Sequence, residues 1–255
     1  MIEVEYFGPL NITIKPFSNK GFNNAAVYVN GTLYSCGGTA GPACYRYDLE
    51  SNSSSWESFT TIPGNAENNP AVAFQQFFWY FNDKIRQVPV KGGNITSYDW
   101  GLGYHGCAVG NGSHTVMIQY LNRSVLMNSD PSTPTNWTTV VELNTAVYWC
   151  GCLWLGNIIY VTGGLEASGG QIDTTQLFNT DTFDLKLGAP LPKSIYYHRM
   201  GVIDGKPAVI GGFNGFGFGL SYLSSIYVYD YCTNTWSLSD RSLKTATSRF
   251  GSIIF

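Results

Sequence analysis

The chain of 255 residues is long enough to bury a sizeable core, and its 12% charged residues, 15% aromatics and 29 glycines favour strands and tight turns over helices. A formal net charge of −3 with no Lys/Arg cluster excludes a nucleic-acid partner and a basic membrane-surface face. The longest apolar run, "AVAFQQFFWYF" at 71–81, is too short and too polar to span a bilayer.

In chain order, "IEVEYFGPLNITIKP" predicts two strands, and a repeating unit follows. The unit is clearest where a short strand ends on paired glycines: "GTLYSCGG" ends at Gly38, "GNIIYVTGG" at Gly164 and "GKPAVIGG" at Gly212. Paired glycines suit positive φ or a close approach of another backbone. From Gly38 to Gly164 is 126 residues, three steps of 42, and from Gly164 to Gly212 is 48. A period of that size is the mark of propeller blades. After each pair, or the place where one is expected, comes an aromatic strand, a polar turn and a tryptophan or its stand-in. The markers are Trp56, Trp100, Trp137, Phe183 and Trp236, the last closing "IYVYDYCTNTW". Each unit predicts four short strands, and five units span roughly 23–63, 64–103, 104–145, 146–192 and 193–242. Units two and three lack the glycine pair, carrying "FFWYFND" and "MIQYLNR" there.

These glycine pairs at 37/38, 163/164 and 211/212, the tyrosines of "YRYD" and "YVYD", and the spaced tryptophans resemble the kelch family. The resemblance implies an all-β, kelch-type β-propeller of four-stranded blades, one domain over 1–255. Six blades are expected, the sixth built from both termini, 1–22 plus 243–255, because "SRFGSIIF" repeats the Arg-x-Gly entry of "HRMGVID". Five blades is the alternative.

In such a blade the turns after strands one and three share one end, and the loop after strand two lies at the other. Seven Asn-x-Ser/Thr sequons occur, at Asn11, Asn30, Asn52, Asn94, Asn111, Asn122 and Asn136, where chance would give about three. All but Asn122 fall in or beside first or third turns, which leaves the opposite ends open to a partner. Those ends carry the longest loops. "GGFNGFGFGLSYLSS" at 211–225 offers Phe213, Phe216, Phe218 and Tyr222, and "GGLEASGGQIDTTQ" at 163–176 offers Glu166, Gln171 and Asp173. The resemblance implies partner binding through these loops.

The start "MIEVEYFGPL" lacks a signal-peptide pattern, so the chain is expected to be intracellular or part of something longer. The sequons and the even count of six cysteines favour a secreted, extracellular setting. Cys36 and Cys44 flank a two-strand turn and predict one disulfide. Cys107 is expected to pair with Cys150 or Cys152 on the first strand of the adjacent blade, while Cys232 has no assigned partner. "CGC" does not have zinc spacing, so no metal or cofactor is expected. The three histidines, His105, His114 and His198, form no recognisable catalytic set. The leading reading is a non-enzymatic, glycosylated structural or binding module making protein contacts or self-associating in an extracellular coat, matrix or fibre. The alternative is a carbohydrate-binding or carbohydrate-active propeller that uses channel-mouth aromatics.

Overall fold

The computed structural model describes residues 24–39, 41–49, 55–64, 69–99, 105–119 and 123–248. Over these, short alternating segments form five four-stranded antiparallel sheets. Blade 1 is Ala25–Val29, Thr32–Cys36, Ala43–Asp48 and Glu57–Thr61. Blade 2 is Ala71–Ala73, Phe77–Phe81, Ile85–Pro89 and Thr96–Tyr98. Blade 3 is His105–Gly110, Thr115–Gln119, Ser124–Asn128 and Thr138–Glu142. Blade 4 is Gly151–Leu155, Ile158–Thr162, Thr175–Asn179 and Leu185–Gly188. Blade 5 is Arg199–Ile203, Lys206–Ile210, Ser225–Asp230 and Thr235–Ser242. The only helical element among the described residues is a 3-10 turn, Gly217–Gly219.

Five blades are thus what the described residues form. The terminal segments 1–22 and 249–255, assigned in the sequence reading to a sixth, lie outside them. Residues 243–248 form no strand, because they are tied to blade 5 instead. The Leu243 N–H donates to Ser224 O (2.8 Å), and the Thr247 N–H donates to Leu223 O (3.0 Å).

The blades fall into two compact units, blades 1 and 2 in one and blades 3 to 5 in the other. In the first, Val27, Tyr34 and Cys36 of blade 1 pack on Phe78, Tyr80 and Val88 of blade 2. In the second, the wholly buried strand Ile158–Thr162 shows why an inner strand reads as a continuous apolar run. Successive side chains point to opposite faces. Ile159 and Val161 therefore join Val116, Ile118 and Val125 of blade 3, while Ile158 and Tyr160 join Met200, Val209 and Tyr227 of blade 5. Each such side chain, removed from water, contributes about 1.5–3 kcal/mol. The tryptophan marker of blade 5 is a clamp: the Trp236 Nε1–H reaches Thr175 Oγ1 (3.0 Å) and Ala189 O (3.1 Å) of the blade 4 region.

Candidate functional site

The glycine pairs stand just after the second strands, and both members of each pair have positive φ: 73° and 92° at Gly37 and Gly38, 53° and 98° at Gly163 and Gly164, 60° and 101° at Gly211 and Gly212. Their other requirement is space. A Cβ on Gly163 would run into Ile195 O, one on Gly164 would lie 2.7 Å from Tyr148 O, and one on Gly212 would lie 3.0 Å from Tyr196 O. The bare backbone lets the interblade connectors cross, and it bonds to them: Gly164 N–H donates to Ile195 O and Gly212 N–H to Thr247 O, both at 2.8 Å.

Those connectors carry a set of aromatic rings. Tyr148 and Trp149 precede the first strand of blade 4, and Tyr196 and Tyr197 occupy the corresponding place before blade 5. Trp149 and Tyr197 both hold φ at 54°, a left-handed conformation that is costly for bulky residues. Their surroundings hold them there: the rings stack with centroids 4.2 Å apart, and the Tyr197 N–H donates to Trp149 O (2.8 Å). Equivalent positions of successive blades meet here, as they do at Cys107 and Cys152, so like ends of blades 3, 4 and 5 lie together.

Two short ladders complete the platform: Val147–Tyr148 pairs with Leu165–Glu166, and Phe213–Asn214 pairs with Ser221–Tyr222. Tyr196 and Phe213 exchange backbone hydrogen bonds (3.0 and 2.8 Å). The 213–222 hairpin is also fixed by side chains. Asn214 Nδ2 donates to Ser194 O (2.7 Å), and the Gly215 N–H donates to Gln171 Oε1 (3.0 Å). On this anchored base Phe216 is 52% exposed, Tyr222 55% and Phe218 fully, with Leu220 beside them.

The hairpin residues of the sequence reading therefore separate. Phe216, Phe218 and Tyr222 face solvent, whereas Phe213 is buried against Tyr196, Tyr197 and Leu165 and belongs to the base. Its ring lies 4.6 Å from that of Tyr222. Gln171 is committed to holding Gly215. Glu166 is half-buried, its backbone N–H donating to Gly170 O (2.9 Å) to close a small turn. The sequence reading missed Tyr148, Trp149, Tyr196 and Tyr197. The signal was present as "YW" and "YY" at the same place ahead of successive first strands.

Of the sequons, Asn30, Asn94, Asn111 and Asn136 are exposed in first or third turns of their blades. Asn111 Oδ1 accepts the N–H groups of Ser113 (3.1 Å) and His114 (2.8 Å), and Asn30 Nδ2 donates to Gln75 O (2.6 Å). Asn11, Asn52 and Asn122 lie outside the described residues. Two disulfides are formed, Cys36–Cys44 and Cys107–Cys152; Cys150 is a buried thiol and Cys232 an exposed one.

His198 is enclosed, its Nε2 2.9 Å from Thr162 Oγ1, and burial pushes its pKa down to about 3, so the ring is neutral near pH 7. No group of three or more His, Cys, Asp or Glu side chains suited to a metal ion occurs among the described residues.

Comparison with known proteins agrees with this architecture. A family model described as the kelch motif matches residues 195–238, from the connector that carries Tyr196 into the outer strand of blade 5. Among solved structures, the one titled "Structure of YjhT" superposes with a TM-score of 0.81 at 15% identity, covering 93% of this chain and 89% of that one. No curated protein matches the sequence. The chain is an all-β, kelch-type β-propeller.

Proposed function

We propose that this propeller is a secreted, glycosylated binding module that acts without catalysis and engages a protein partner, including further copies of itself, through the aromatic hairpin of blade 5. The observation that carries the reading is the exposure of Phe216, Phe218 and Tyr222 on a base that is hydrogen-bonded and ring-packed. Large apolar rings held in water on a rigid support are the usual composition of an interface anchor. Two disulfides and the exposed sequons support an extracellular setting. Within the second unit, Asn111 and Asn136 lie at the turn end of blade 3, and the hairpin occupies the opposite end of blade 5. Sugars on those asparagines would leave the aromatic end open.

The test compares the wild type with the double variant F216S/F218S by sedimentation and on an array of glycans and simple glycosides. Self-association, or binding of a co-purifying protein, that is lost in the double variant supports the reading. Hexosamine on Asn94 and Asn136 supports its extracellular part. Millimolar or tighter sugar affinity, or turnover of a glycoside, overturns it in favour of a carbohydrate-handling propeller.

A further inference from the structure

The second unit holds three cysteines in one cluster. Cys107 and Cys152 occupy equivalent positions on the first strands of blades 3 and 4 and are disulfide-bonded. The free thiol of Cys150, two residues before Cys152, lies 3.6 Å from the Cys107 sulfur. That separation is contact distance for two sulfurs, so the third thiol needs only a small rotation to reach the bonded one.

We propose that Cys107, Cys150 and Cys152 form a thiol–disulfide exchange site in which Cys150 displaces Cys152 from Cys107. The step is balanced within the chain. Cys150 gives up its proton to solvent and its thiolate attacks Cys107 Sγ. The Cys107–Cys150 bond forms, the Cys107–Cys152 bond breaks, and Cys152 leaves as a thiolate that takes up a proton. Nothing is oxidised or reduced overall. The exchange moves the crosslink off the strand Gly151–Leu155 and onto the connector that presents Tyr148 and Trp149, two residues of the aromatic platform. The inference rests on sulfur geometry and stands apart from the proposed partner.

The native packing restrains the step. Cys150 is 2% exposed, a Cβ on Gly164 would lie 3.1 Å from its own Cβ, and burial raises its thiol to about 12. The charged group facing it is Arg199 of the first strand of blade 5, which opposes the rise; the neighbouring His198 is neutral. Because only the thiolate attacks, the rate is expected to climb about tenfold per pH unit through the alkaline range.

The test is disulfide mapping of the folded wild type after incubation at pH 7.5, 8.5 and 9.5. Free thiols are blocked with one alkylating label, acidified protein is digested, and peptide fragmentation assigns the label between residues 150 and 152. The expected result is a Cys107–Cys150 linkage that accumulates about tenfold faster per pH unit, with the label moving from Cys150 to Cys152. With oxidised glutathione added as the two-electron oxidant, C152A should form Cys107–Cys150 as the glutathione is reduced. Only Cys107–Cys152 in the wild type at every pH overturns the inference, and so does a folded C152A in which Cys107 and Cys150 both remain free. Should C152A fail to fold, the wild-type map decides alone.

Discussion

Blades 2 and 5 use aromatic residues in opposite ways. In blade 2 the run "FFWYF" forms the inner strand Phe77–Phe81, and its alternation sends Phe78 and Tyr80 to the blade 1 interface and Trp79 and Phe81 to the other face. Trp79 meets Phe74 at 4.8 Å and Phe81 at 6.0 Å. The strand then turns tightly through Asn82, whose Oδ1 accepts from the Lys84 N–H (3.1 Å) and Arg86 Nε–H (3.2 Å), without a glycine pair. In blade 5 the inner strand stops at Gly211–Gly212, the connector crosses, and the next aromatics alternate with glycine. Contiguous aromatics in a strand become core. Beyond the glycine pair, Phe213 still turns inward, whereas Phe216 and Phe218, each flanked by glycine, become surface.

Five substitutions break or sharpen this contrast. Trp79→Ala removes a wholly buried ring and should destabilise by about 3–5 kcal/mol in a denaturant titration. Gly163→Ala should cost about 2–4 kcal/mol, since it combines positive φ with collision against Ile195 O; Gly92→Ala, where φ is also positive but a Cβ meets nothing, should cost less. Acid acts through His198. Its native pKa near 3 lies below the ordinary value of 6.5, so below pH 6.5 the unfolded chain binds a proton that the native ring refuses. Stability should therefore fall as pH drops from about 6.5 towards 3, by about 2 kcal/mol at pH 5. His198→Gln should flatten that part of a Tm-versus-pH profile. Phe218→Ser should change stability by less than about 0.5 kcal/mol. Partner binding or self-association should nevertheless weaken at least tenfold.

The fold was legible because its signals are local and repeated. Glycine pairs marked the ends of second strands, and Trp56, Trp137 and Trp236 stand in or just before outer strands. Unit two was harder to place because a tight turn through Asn82 stands where a glycine pair stands elsewhere, and the corresponding residues of unit three, 120–122, lie outside the described ones. The candidate site was legible in part. The sequence placed Phe213, Phe216, Phe218 and Tyr222 together in the loop after a second strand, but spacing could not show that Phe213 pairs with Tyr196 and turns inward while the other three face solvent. The stacking of Trp149 on Tyr197 depends on the juxtaposition of two blades, and no window of a single blade contains it. The choice between Cys150 and Cys152 as the partner of Cys107 was likewise open, because both sulfurs lie within reach of the same atom.

The central claim is that the blade 5 hairpin is the surface a partner touches. The most direct measurement places a photo-crosslinking amino acid at position 218, and at position 94 as a control, in protein kept in the unfractionated mixture of its natural source. The account predicts covalent adducts to polypeptide from position 218 and far fewer from position 94. Adducts of equal yield from both positions, or none from 218, would contradict it.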